Sequence, residues 1–334
     1  MSPTGEVTTL GSWEADNVTL AQVDAELSNL RRHEQRAAVR TSVLTLVAVV
    51  DSPTAAAMVW GIVHDLGIRH PSRTIVLDVG DRGGDDGSGV DASVWVQAME
   101  SDGRVVCFED LLLTVRGKAR HHLDSIVEPF ALPDVPMVVW LPARLPSAGD
   151  PLMAAANRVV VDSRAVKEAG TDALARSLIL SRRLPVADLS WIRLAPWRSL
   201  LAGLFEGGVH RPFLDGVFQV EVTGNEGPRH LLGGWLLRRL GLPAGLVQLT
   251  AGEHVSLRLE ATADGRSATF SVARSGPERV IRACVDIESG PSLEQVVTMR
   301  EQWPSLALAG ALTRVGHDEV YEEALSGARE LQSA

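Results

Sequence analysis

The chain is poor in aromatics and cysteine: one tyrosine, six phenylalanines and two cysteines, Cys107 and Cys284, occur among 334 residues. So few cysteines exclude a disulfide scaffold and a thiolate zinc site, and leave both thiols to pack as small apolar side chains. No apolar run approaches the roughly 18–20 residues that a membrane span requires. The opening MSPTGEVTTLGSWEADN has neither a basic start nor an apolar stretch. A secretory leader is therefore not expected, and the cytoplasm is the expected compartment. Positive charge is short too, with 32 Lys and Arg against 42 Asp and Glu for a net −10. That balance argues against nucleic acid as a partner, because non-specific binding to phosphate backbones depends on cationic charge.

Enzyme signatures are also missing. The chain contains no GxSxG elbow, no HExxH and no GxxxxGK[ST] loop. Gly87-Ser88-Gly89-Val90-Asp91-Ala92 matches the dinucleotide fingerprint formally, but the residues after it read as a strand where the motif needs a helix. The same loop fails as an EF-hand, with Asp86 where glycine belongs and Ala92 in place of the bidentate glutamate. His121 and His122 are adjacent, whereas helical metal ligands sit three or four residues apart. With Arg116, Lys118 and Arg120 they form a basic cluster that reads either as a solvated helix start or as a contact for an acidic surface or phosphate. His70-Pro71-Ser72-Arg73 precedes a strand, and α/β sheets bind ligands beyond the other ends of their strands. No catalytic residue, cofactor site or metal site is expected.

A hydrophobic content of 45% is that of a globular chain, and the length suits two domains. Residues 1–16 are expected to be disordered. Asn17 is placed to cap a helix carrying Leu20, Val23, Leu27 and Leu30. Thr41 to Val50 and Thr74 to Val79 read as strands buried on both faces, joined by a helix that starts at Asp51-Ser52-Pro53 and stops at Gly67. A mobile loop from Asp81 to Asp91, a hairpin across Ser101-Asp102-Gly103, a helical stretch from Gly117 to Val127, strands near Met137 to Leu141 and Arg158 to Val161, and a helix near Val166 to Arg182 follow. These make residues 17–185 an α/β domain with a mainly parallel, Rossmann-like sheet. Residues 186–334 read as an α+β domain. Its alternating runs Val255 to Ala261, Ala268 to Ala273 and Val280 to Ile287 predict an antiparallel sheet with turns at Asp264-Gly265 and Ser275-Gly276-Pro277, and helices are expected near Leu293 to Met299 and Asp318 to Arg329.

Two groups of residues invite a functional reading. Ser52, Arg144, Ser163 and Arg164 follow strand ends, where helix amides and arginines could hold an anion, although Asp51 and Asp162 at the same rim oppose it. The second group is Asp188-Leu-Ser-Trp191-Ile-Arg193-Leu-Ala-Pro196-Trp197-Arg198, where two tryptophans and two arginines interleave within eight positions. Trp and Arg are the residues most enriched where protein surfaces carry binding energy. Pro196 suits a first helical position, and Trp197, Leu200, Leu201, Leu204 and Phe205 then form an apolar face, which puts Trp197 in the core. Trp191 and Arg193 precede that helix in an extended or irregular stretch. The segment reads either as a hinge packing two domains, with arginines stacked on the tryptophans, or as a surface that receives another protein.

From about Arg40 to Leu312 the sequence resembles the glucose-6-phosphate dehydrogenase assembly protein family, also called the OpcA family. The resemblance rests on RTSVLTLVAVV, HPSRTIVL, PFALPDVPMVVWLP, NRVVVDS, DLSWIRLAPWRSLLAGLF and GGWLLRRLGL, in that order. The family's mid-chain block maps onto Asp188, Trp191, Arg193 and Pro196-Trp197-Arg198, with Ala195 standing where a hydroxylated helix cap is expected. The resemblance implies a non-enzymatic partner of glucose-6-phosphate dehydrogenase that promotes its active oligomer or acts as its allosteric activator. NADPH supply by the oxidative pentose phosphate pathway would be the process served. Trp191, Arg193, Arg198 and Asp188 become the candidate contacts. The thiol regulation of some members is not expected in a chain with only Cys107 and Cys284. The alternative is a sugar-phosphate- or nucleotide-binding enzyme or sensor, using the strand-end rim of the N-terminal domain and motivated by α/β architecture alone.

Overall fold

The computed structural model describes residues 7–33, 42–66, 70–80, 87–101, 104–166, 169–275, 280–298, 304–314 and 316–334. They divide into two compact units, the first drawn from 1–161, 184–186 and 304–315, the second from 162–183, 187–303 and 316–334. The stretch 162–183, which the sequence reading puts before a boundary at 185, thus groups with the second unit, and the chain returns to the first at 304.

The first unit is built on β2 (Leu44–Val50), whose seven residues are all buried. A strand covered on both faces has no reason to alternate polar and apolar side chains. Ser52 ends the loop after it, its Oγ accepting the Ala55 amide at 3.2 Å, and Pro53 opens α2 (Pro53–Leu66). Then β3 (Ser72–Asp78) lies parallel to β2 in register Leu44↔Ser72 through Val50↔Asp78. On the other side of β2 follow β6 (Met137–Leu141) and β7 (Arg158–Val161), both parallel. Outside β3 come β5 (Arg104–Arg116), parallel to it, then β4 (Gly89–Ser101) and β1 (Val7–Ala15), each antiparallel to its neighbour. The sheet order is β1-β4-β5-β3-β2-β6-β7-β8, with β8 (Val186–Asp188) the strand at which the chain leaves this unit. A further helix, α9 (Pro304–Thr313), packs on α2.

Several expectations for this unit need correction. The N-terminus is ordered from Val7 onward as an edge strand. Its polar residues gave no alternation to read, and its order comes from a backbone ladder with β4, Val7↔Met99 to Ala15↔Ala92. Asn17 does not cap α1 (Leu20–His33): it takes a positive φ of 52°, and its amide donates to Asp91 at 2.8 Å. Thr19 and Gln22 form the capping box instead, Thr19 Oγ1 accepting the Gln22 amide at 3.3 Å and Gln22 Oε1 the Thr19 amide at 2.9 Å. Of the Asp81 to Asp91 loop, Gly89 to Asp91 belong to β4, while 81–86 lie outside the described residues, as does the Gly67 stop. Arg73 is 4% exposed, ion-paired to Glu109 and donating to the Phe130 carbonyl at 2.7 Å, so the HPSR fragment serves the core. Arg31 of α1 meets the same carboxylate.

The second unit holds a six-stranded sheet, β10-β9-β11-β12-β13-β14, made of β9 (Val217–Gly224), β10 (Val247–Ala251), β11 (Ser256–Ala263), β12 (Arg266–Ser275), β13 (Val280–Ile287) and β14 (Leu293–Thr298). β11 to β13 show the alternation the sequence carries, and Asp264 and Gly265 turn between β11 and β12 with φ of 49° and 73°. Two positive φ values in succession are what a two-residue I′ hairpin needs. The sheet is mixed, since β10 runs parallel to β9. β14 replaces the helix expected near Leu293: all six of its residues are exposed, and only pairing with β13 makes it a strand. The turn expected at Ser275-Gly276-Pro277 lies mostly outside the described residues.

Helices α8 (Glu226–Leu240), α10 (Glu319–Ser333) and α5 (Gly170–Ser181) pack together, and α8 also lies against β9 and β10. The α8–α10 crossing depends on glycine. A Cβ built on Gly234 would stand 2.3 Å from the Ala324 carbonyl oxygen, and one on Gly327 would stand 2.3 Å from the Gly234 oxygen. Both obstacles are backbone, which cannot rotate away. Gly234→Ala or Gly327→Ala is therefore expected to cost about 3 kcal/mol or more, outweighing the ~1 kcal/mol that alanine offers a helix interior. Gly203, with nothing within 4 Å of its built Cβ, is the control. Gly203→Ala should leave the urea midpoint unchanged or raise it, and equal behaviour of all three variants would refute the close crossing.

Candidate functional site

The Asp188 to Arg198 segment is two consecutive helices, α6 (Leu189–Arg193) and α7 (Ala195–Leu204). This corrects the extended reading of Trp191 and Arg193, and the cause is Asp188. Its carboxylate is fully buried and accepts the Ser190 amide at 2.8 Å, capping α6, and the Ser163 amide at 3.2 Å. Helix α7 needs no hydroxylated cap at Ala195, because Leu194 before it is already helical and its carbonyl accepts the Arg198 amide at 3.2 Å.

Trp191 is 2% exposed. Its ring has the Arg198 guanidinium carbon 3.2 Å from the centroid and the Tyr321 ring at 5.9 Å. Its Nε1 donates to Asp318 at 3.3 Å, and Asp318 in turn caps α10 by accepting the Tyr321 amide at 3.0 Å. The expected stacking of an arginine on a tryptophan is present, inside the second unit. Trp197 is core, 6% exposed, with Nε1 donating to the Val255 carbonyl at 3.2 Å. Arg193 is ion-paired to Asp162, which also accepts the Ser190 hydroxyl at 2.9 Å. Asp188, Trp191, Arg193 and Arg198 thus come together. Trp191 and Asp188 form the inside of the cluster, and the two arginines are half-buried.

The four strand-end residues do not form one site. Ser52 and Arg144 belong to the first unit, Ser163 and Arg164 to the second. Ser52 is spent on capping α2, and Arg144 is exposed. Ser163 and Arg164 join the cluster just described, the Arg164 amide donating to the Ser190 hydroxyl at 2.9 Å.

Beside this cluster lies a small pocket of about 80 Å³ within the second unit. Arg164, Arg193 and Arg274 line it, with Trp197, the α8 start at Asn225 and the loop residues Glu253 and His254. Sequence reasoning missed Arg274, Asn225 and His254, which no motif marks and which reach the pocket from β12, the α8 terminus and the β10–β11 connection. Of the basic cluster Arg116 to His122, Arg116 pairs with Asp91 at 2.7 Å and Arg120 donates to the Gly80 carbonyl at 2.7 Å, while both histidines are exposed. Cys107 is buried on β5 and Cys284 half-buried on β13. No helix among the described residues is long and apolar enough to cross a membrane.

Burial, and then the Asp162 charge, push the Asp188 carboxyl up to about 6, against the pull of its hydrogen bonds from Ser163 and Ser190. A carboxyl that holds its proton more tightly folded than unfolded stabilises the fold below about pH 4, and that contribution is lost as pH rises through about 6. Asp188→Asn keeps a capping oxygen and removes the titration. Relative to the parent, the variant should gain on the order of 2–3 kcal/mol between pH 4 and pH 7 in urea unfolding. A constant difference across that range would show that Asp188 does not titrate there.

Two family models match the chain, the "Glucose-6-phosphate dehydrogenase subunit N-terminal domain" over residues 63–177 and the corresponding C-terminal domain over 184–325. Curated relatives described as "Putative OxPP cycle protein OpcA" include one from Nostoc punctiforme, 24% identical over 306 residues covering 79% of this chain and 66% of that protein. Another, from Synechocystis, is 24% identical over 268 residues covering 66% of this chain and 55% of its own length. The chain thus spans less than two thirds of the length of these relatives. A solved structure titled "Structure of putative oxidoreductase yvaA from Bacillus subtilis in triclinic form" overlays with a TM-score of 0.40 and 8% identity, covering 86% of this chain and 96% of that one, too distant to inform fold or activity. With matched segments that together take in well over half of its length, the chain belongs to the OpcA family of glucose-6-phosphate dehydrogenase assembly proteins.

Proposed function

We propose that this chain is a non-enzymatic partner of glucose-6-phosphate dehydrogenase that promotes the enzyme's active oligomer in the cytoplasm and so supports NADPH supply. The observation that carries the reading is the pair of family-model matches over 63–177 and 184–325. The make-up of the mid-chain cluster supports it: arginines stacked and ion-paired on a rigid support are a recognition surface, not a bond-making one. Activation requires that the chain bind the active enzyme state more tightly than the inactive one, since equal affinity shifts no equilibrium. Arg193 and Arg198 are the groups of this cluster that a partner reaches. Trp191 and Asp188 act behind them, fixing the backbone and the Arg198 plane.

Trp191→Ala would open a cavity and cost about 3–5 kcal/mol, so its effect on activation would be indirect. Arg198→Ala and Arg193→Ala are the cleaner variants. Dehydrogenase activity titrated with the parent chain should rise to saturation, and each variant should shift the half-maximal concentration upward by about tenfold, the size of a hot-spot truncation. Melting temperatures measured alongside separate misfolding from lost contact. Folded variants that activate like the parent would move the contact elsewhere, and a parent that neither co-purifies with the enzyme nor alters its rate would overturn the partnership.

A further inference from the structure

We propose that the pocket between α6, the α8 start, the β10–β11 connection and Arg274 is a binding site for a phosphomonoester, the phosphate group entering the pocket and the rest of a small metabolite remaining outside. The lining is basic although the chain as a whole carries −10. Arg164, Arg193 and Arg274 face Glu253 alone among lining carboxylates, with Asp162 behind as the partner of Arg193. The Arg274 Nε is buried without an acceptor, and Arg164, an exposed residue, brings a second guanidinium to the same lining. A buried guanidinium nitrogen left without an acceptor is costly, and an incoming anion would relieve it.

The start of α8 adds to the same field. Asn225 sits at the cap position without capping through its side chain. The Glu226 carboxylate that would otherwise neutralise this end is turned to α5, accepting the Gly170 amide at 3.1 Å and the Thr171 hydroxyl at 2.9 Å. Pro228 in the first turn has no amide proton and the Arg229 amide is bonded to the Asn225 carbonyl at 2.9 Å, so what this fifteen-residue helix brings to the pocket is its positive end, with Asn225 and Pro228 in the lining. Trp197, bonded to the Val255 carbonyl, holds the loop that carries Glu253 and His254 against α7, so the pocket wall is fixed by the core.

Geometry selects the class of anion. A carboxylate is planar and is satisfied by one guanidinium fork. Here three arginines reach the lining from three separate parts of the chain, the β7–α5 connection, α6 and β12, which suits the several oxygens of a tetrahedral dianion. A volume of about 80 Å³ has room for several waters, and so for a phosphate group, but not for a whole nucleotide. Because Arg193 and Trp197 belong to both the pocket and the Trp191–Arg198 cluster, ligand occupancy would be felt by the segment proposed to meet the dehydrogenase.

The site is testable on the isolated chain, apart from any dehydrogenase contact. Thermal melting and calorimetric titration at matched ionic strength would use inorganic phosphate and glucose 6-phosphate as probes, with glucose and acetate as controls. Both phosphates should raise the melting temperature and give saturable heats, glucose 6-phosphate at least as strongly as phosphate, while glucose and acetate do neither. Arg164→Gln and Arg274→Gln should each weaken binding at least tenfold, and the double variant should abolish it with the ligand-free melting temperature little changed. No response to either phosphate, an equal response to acetate, or a response that survives in the double variant would overturn the site. Loss of dehydrogenase capture in the double variant without phosphate binding by the parent would also overturn it, reassigning the arginines to a partner's acidic side chain.

Discussion

The second unit depends on one buried carboxylate. Asp188 closes β8, caps α6 and accepts the Ser163 amide just beyond β7, so it holds together two turns 25 residues apart in the chain. A single oxygen receives both amides. Asp162 extends the arrangement by taking the Ser190 hydroxyl and the Arg193 guanidinium. Burial raises the cost of charging Asp188, and the Asp162 charge adds to it. The structure answers with hydroxyls, amides and a guanidinium aimed at them, and with an Asp188 proton affinity displaced toward neutrality.

Everything of functional interest follows from where those bonds place α6. The helix carries Trp191 inward, against Tyr321, and Asp318 ties the indole to the start of α10. Burial pushes the Tyr321 hydroxyl well above its ordinary range, so the chain's single tyrosine acts as an apolar wall with a retained proton. Arg198 is then laid flat on the indole, and Arg193 is turned toward Asp162 and the pocket. A segment whose composition suggests an exposed adhesive patch is in the fold a packed support with cationic edges. Recognition, on this account, uses few side chains held in fixed positions, which lowers the entropy lost when a partner or ligand binds.

Legibility in the sequence tracked how locally each element is determined. β2, α2 and β3 were readable because buried apolar runs, a hydroxyl cap and a proline at the first helical position all act within a few residues. β1 and β14 were not. Their residues are polar or exposed, and each is a strand only because a neighbour offers an unpaired edge, β4 to the first and β13 to the second. β10 escaped for the same reason. The α8–α10 crossing was invisible as well, because a glycine in a helix reads as a weak position until another backbone is found against it.

The class of each half, the buried parallel strands, the apolar face of α7 with Trp197 in the core, and the resemblance carried by Asp188, Trp191, Arg193 and Pro196-Trp197-Arg198 could all be read along the chain. These depend on periodicity and on residue order, both of which are local. That Trp191 is buried, that Ser163 and Arg164 join the cluster while Ser52 and Arg144 do not, and that Arg274 and the α8 start share a pocket with Arg193 follows from three-dimensional packing. Those pairings join positions far apart in the chain, 127 residues for Trp191 and Asp318. Long-range contacts of this kind are fixed by strand order and helix packing, for which single residues leave no mark.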